Sequence, residues 1–177
     1  SFLDVLNFRN PSDRMPMIEW AAWWDKTVHR WESEGLDTSA LDFEQLQEHF
    51  GLDLMVCLHV PPRSRECPTA EYHGAPLITT EEDYDRIRPF LFSDSVIERL
   101  LLEARDRVSR HEKGELVIRV FLDGFFWFPR TLFGIENHLY AFYDQPDLMH
   151  RMNSELADFN IRAVEALFQV LKPDMIG

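Results

Sequence analysis

At 177 residues the chain has room for one ordinary domain with a sizeable core, and 45% hydrophobic content with 13% aromatics excludes a disordered polymer. Its 31 acidic against 18 basic residues give a formal net charge of −13, which opposes nucleic-acid binding and repels polyanions unless Arg and Lys are focused locally. No apolar run approaches the roughly 20 residues of a membrane span, no basic leader opens the chain and two cysteines are too few for a disulfide framework, so a cytoplasmic protein is expected.

In chain order, Phe2, Leu3, Leu6 and Phe8 predict a short amphipathic helix ended by Asn10-Pro11. Met15 to Trp20 reads as a first buried strand, Lys26 to Glu34 as a helix closed by Gly35. Ser39 is placed to cap a helix with Leu41, Leu46 and Phe50 on one face and Gly51 as its stop. Leu52 to Val60 predicts a second strand, stopped by Pro61-Pro62. Arg63 to Ile78, with its Gly-Ala-Pro turn, is an excursion or hairpin outside the core.

A capping box, Ser95-x-x-Glu98, opens a long helix carrying Ile97, Leu101, Ala104 and Val108, ended by Gly114. Leu116 to Leu122 is the third strand and Thr131 to Tyr143 the next helix. Asp144, with Pro146 in the first turn, caps a last long helix whose Leu148, Met152, Leu156, Phe159, Ala163 and Leu167 follow the helical period. Lys172 to Gly177 starts a fourth strand. This alternation predicts an α/β fold with a parallel sheet. A closed barrel of eight strands takes about 250 residues, so residues 1–177 read as the first half of a (β/α)8 barrel, cut after its fourth strand.

Ligands of such barrels sit at the C-terminal ends of the strands, and three titratable residues fall there. Glu19 ends the first strand, and burial among Trp20, Trp23 and Trp24 would raise its pKa and make it a general acid or base, against the alternative of a structural ion pair. His59 ends the second strand as a substrate contact. Cys57-x-His59 puts a thiol and an imidazole on one face, a two-ligand match to zinc that a merely buried thiol explains as well. Asp123 ends the third strand and either orients a substrate or caps the next helix. Arg130 follows, to bind an anion or to answer Asp123. Trp20, Trp23, Trp24, Phe126 and Trp127 form two aromatic groups, an apolar floor for a ligand or ordinary core. Phosphate loops and a serine nucleophile elbow are absent.

The wording around these positions resembles the uroporphyrinogen decarboxylase superfamily, which includes corrinoid-dependent methyltransferases. Phe2-Leu3-Asp4-Val5-Leu6 before Pro11-Ser12-Asp13-Arg14-Met15-Pro16 matches its opening. Gly124, Phe125, Pro129, Thr131 and Leu132 match its third-strand junction, and Tyr143, Pro146, Leu148 and His150 its following helix. The resemblance implies a (β/α)8 barrel of about twice this length. In the decarboxylases two arginines hold substrate carboxylates, and those positions fall on Ala21 and Asp25. The family's catalytic aspartate falls on His59 or Val60 and its tyrosine on Ile135.

These departures imply a divergent member, with corrinoid-dependent methyl transfer as the first expectation. Its zinc would lie in the remaining half, with no metal held by these residues, and a corrinoid protein would be the partner. The alternatives are a carboxy-lyase with new anchors among Arg63, Arg65 and Arg130, and a non-catalytic partner subunit. A half barrel leaves open sheet edges and apolar surface, expected to be covered by the rest of the barrel or by another chain.

Overall fold

The computed structural model describes residues 2–38 and 41–177. In chain order these form α1 (Phe2–Leu6), α2 (Asp25–Ser33), α3 (Phe43–His49), β1 (Leu54–Val60), α4 (Glu81–Ile87), α5 (Asp94–Glu112), β2 (Leu116–Leu122), α6 (Trp127–Phe133), α7 (Ile135–Asp144), α8 (Pro146–Phe168) and β3 (Met175–Ile176). The strands make one open sheet in the order β1-β2-β3. Gly177 N–H donates to Val120 O at 2.9 Å while Leu122 N–H donates to Gly177 O at 2.8 Å, the straddling pattern of parallel strands. Strands alternate with helices, as the sequence predicts. Among the described residues no helix is long and apolar enough to cross a membrane.

The chain divides into two compact units, Ser1–Cys57 with Val108–Arg119 and Pro173–Met175, and Leu58–Arg107 with Val120–Lys172 and Ile176–Gly177. In the first unit the predicted strand from Met15 to Trp20 is not a strand. Pro16 has no N–H to give a ladder, and Met15, Met17, Ile18 and Trp20 are all exposed, which a buried strand forbids. Point contacts fix the segment instead. Arg14 grips the Asp53 carboxylate through both ends of its guanidinium at 2.7 and 3.1 Å, and Asp53 and Met17 exchange bonds of 2.7 and 2.8 Å. Gln47, itself buried, donates to Glu19 O at 2.6 Å.

The helix expected to start from Ser39 begins later. Ser39 lies outside the described residues, and Asp42 caps α3 in a reciprocal box with Gln45, both bonds 2.9 Å. The rings of Trp23, Trp31, Phe43 and Phe50 pack against one another at centroid distances of 4.8 to 5.7 Å, an aromatic cluster that is half-buried except for the exposed Phe50.

In the second unit, α8 buries Leu148, Met152, Leu156, Phe159, Ala163 and Leu167, the face its period predicts. Its cap position is Gln145, with Pro146 opening the helix; Asp144 instead ends α7. On α5 the buried residues are Val96, Ile97, Leu100 and Ala104, so Ile97 and Ala104 of the expected stripe are buried while Leu101 and Val108 are half-buried. The helix starts at Asp94, and the Ser93 hydroxyl accepts the Ser95 N–H at 3.2 Å, so Ser95 is not the cap. Phe92 packs against Phe128 and Phe159 at 5.4 and 5.6 Å. It holds a left-handed φ of 59°, tied by its N–H to Pro62 O at 2.7 Å and by its carbonyl to Arg162 at 3.2 Å.

The single helix expected over 131–143 is two, because Gly134 adopts φ +78° between α6 and α7. The excursion 63–78 forms no hairpin among the described residues. It is a loop, stitched to α6 where the N–H groups of Leu77 and Ile78 share the carbonyl of Leu132 at 2.7 and 3.1 Å.

Candidate functional site

Two of the three strand-end residues come together in the second unit. His59 is the penultimate residue of β1, exposed, and its ring lies flat on Phe121 of β2, 5.2 Å between centroids and 7° from parallel. Asp123 follows directly on β2 and is half-buried. Burial pushes its carboxyl above the ordinary range, and the neighbouring Arg63 and then His59 partly oppose that rise. Asp123 therefore favours the protonated form more than a surface carboxyl would, while two groups that steady its anion stand by. Its main-chain carbonyl accepts the Asn160 amide at 3.3 Å, which anchors this strand end to α8. A carboxyl balanced in this way can give and regain a proton.

Arg63 also enters a cavity of about 370 Å³ between the loop after β1 and α6. Arg130, Trp127, Tyr72, His73 and Ile135 supply most of its chemistry, and none of its lining residues is acidic. The Arg130 guanidinium lies over the Trp127 ring, 4.6 Å from its centroid. Arg63 is steadied by a 2.9 Å bond from Nη2 to Pro68 O. Phe126 is exposed on one side and meets His138 edge-on at 4.7 Å on the other, so it bridges to α7. Sequence reasoning named Arg130 and Phe126 but not Tyr72 and His73. Their position beside the Gly74-Ala75-Pro76 turn was the available signal, because loops hung on a rigid sheet carry binding groups.

Glu19 belongs to the first unit. Its carboxylate accepts the Ala21 N–H at 3.2 Å, closing a local turn. The expected burial among three tryptophans does not occur: Trp20 is 69% and Trp24 77% exposed, and the half-buried Trp23 packs edge-on against Trp31. Cys57 and His59 do share one face of β1 by alternation. Burial raises the Cys57 thiol, with Arg119 opposing, which disfavours the thiolate a metal would need. Among the described residues no three His, Cys, Asp or Glu side chains gather as a metal site requires, so these residues do not fit a zinc ion.

Set against protein-family models, curated proteins and solved structures, the chain matches none. The site's own geometry is what bears on its chemistry.

Proposed function

We propose that this chain is part of a uroporphyrinogen decarboxylase-like barrel enzyme and that it acts as a carboxy-lyase on an organic acid, with Asp123 as the proton donor. The one observation that carries the reading is the half-buried Asp123 carboxyl at the end of β2, raised by burial and faced by Arg63 and His59. Loss of CO2 breaks a carbon–carbon bond and leaves its electron pair on the substrate carbon. That carbon then takes the Asp123 proton, and solvent restores it. Arg63 holds the departing carboxylate or steadies the aspartate left behind. A closed barrel built with further strands belongs to this proposal, as do the landmarks from Pro11 to Pro16 and from Gly124 to Leu132.

Methyl transfer is the second reading. Phe125, Phe126 and Trp127 stand exposed after β2, an apolar surface suited to a broad flat cofactor such as a corrinoid. Ala21 and Asp25, where the decarboxylases carry arginines, lean the same way.

The deciding experiment measures CO2 release from a panel of carboxylic acids, uroporphyrinogen included, alongside demethylation of methylcobalamin by thiols. Release of CO2 that falls by about 10²-fold or more in Asp123→Asn supports the lyase. Demethylation without CO2 release replaces it with the second reading.

A further inference from the structure

We propose that the cavity between the loop after β1 and α6 is a binding site for a small planar organic acid, one ring bearing one carboxylate. In a protein of net charge −13, a hollow with two arginines and a histidine on its wall and no acid among its lining residues is a local reversal of charge. The Arg130 guanidinium sits over the Trp127 ring, 4.6 Å from its centroid, which leaves N–H groups available for the two oxygens of a carboxylate. Arg63, tethered to Pro68 O, keeps its second cation at the same wall.

The remaining surface decides between anions. Trp127, Tyr72 and Ile135 offer apolar and aromatic area that a compact tetrahedral phosphate would leave unused and a flat ring would cover. Size sets the upper limit. At about 370 Å³ the cavity is near the small end of ligand pockets, room for a single ring and too little for a tetrapyrrole. Glu136 stands in the neighbouring hollow beyond Tyr72 and His73, outside this wall.

This inference rests on the carboxy-lyase reading through Arg63 alone, which acts on Asp123 and lines the cavity, and binding can be measured apart from turnover. Calorimetric titration of the purified protein with benzoate, benzamide and inorganic phosphate is the test. Saturable benzoate binding is expected, with benzamide and phosphate each at least about tenfold weaker, since a charge-assisted bond is lost or the ring contact is. Arg130→Gln and Arg63→Gln should each weaken benzoate by about tenfold or more, and Trp127→Leu should weaken it without restoring phosphate. Arg130→Lys, which keeps the charge and loses the fork, guards against a folding defect and should still bind benzoate more weakly than the parent.

No benzoate binding, indifference to all of these changes, or phosphate binding tighter than benzoate would overturn the inference. Intact benzoate binding with no CO2 release from any acid would sink the lyase reading and leave this site standing.

Discussion

Asn160 on α8 reaches the main-chain carbonyl of Asp123 at 3.3 Å, joining the longest helix to the candidate proton donor. Asn160 is buried, and its other polar atom, Oδ1, has no partner. The amide therefore sits there for its one donor bond. Asn160→Ala removes it and strands the Asp123 carbonyl, which should lower unfolding free energy by about 1–3 kcal/mol in urea titration. The same variant should lose turnover beyond its stability loss, because Asp123 is no longer held in place. Unchanged turnover would mean that Asp123 keeps its position without this tie.

Asp123 itself should trade stability for chemistry. Its folded pKa is raised by burial, so the folded state binds a proton more tightly than the unfolded chain. Stability from this group is full below the ordinary carboxylate range and falls as pH climbs from the unfolded value of 3.8 through the raised folded one. Asp123→Asn keeps the shape and cannot ionise. Its melting temperature should exceed the parent's at pH 7, and the gap should close in acid, while turnover is lost. Equal melting temperatures at pH 7 would contradict a carboxyl disfavoured by burial.

The sequence made the scaffold more legible than the site, for reasons visible in single residues. The α8 stripe from Leu148 to Leu167 is read correctly because 23 residues of helix repeat one period many times. Met15–Trp20 is misread because a short apolar run has the composition of a buried strand. Only its ties to Asp53 and Gln47, distant in sequence, show that it is held by point contacts. His59 and Asp123 are readable as a pair, since strand ends in a parallel sheet converge. Tyr72 and His73 are not, because a loop's path obeys no period. Glu19 reads as catalytic from its place at an expected strand end among tryptophans, yet no strand forms there, Trp20 and Trp24 face solvent and Trp23 packs on Trp31.

Gly134 holds the turn between α6 and α7 together. With φ +78°, a Cβ there would stand 2.6 Å from Gly74 O, 2.8 Å from Pro76 N and 2.9 Å from Ala75 C, all backbone atoms that cannot swing aside. Gly134→Ala adds backbone strain to this clash and should destabilise by more than about 1 kcal/mol. The loop would be pushed off α6, and the bonds from Leu77 and Ile78 to Leu132 O would go with it. Because residues 74 and 75 wall the cavity, ligand affinity should fall together with melting temperature. Gly124→Ala is the control: nothing lies within 4 Å of its Cβ position, so it should be nearly neutral.

His138 should make the α6–α7 region acid-sensitive. Its side chain is fully buried with neither ring nitrogen bonded, and it lies edge-on to Phe126 at 4.7 Å and to Phe142 at 5.0 Å. Burial, and then the Arg130 charge, depress its pKa below the usual 6.5. Above that value the ring is neutral in both the folded and the unfolded chain, and pH does not matter. As pH falls below 6.5 the unfolded chain takes up a proton that the folded one refuses, so stability declines until the lower folded pKa is reached. His138→Leu fills the space without a titrating group or an unbonded donor. Melting curves from pH 7.5 to 5 should show the parent losing stability more steeply than the variant. Parallel curves would mean that the imidazole accepts its proton inside the fold, against the aromatic and cationic surroundings described here.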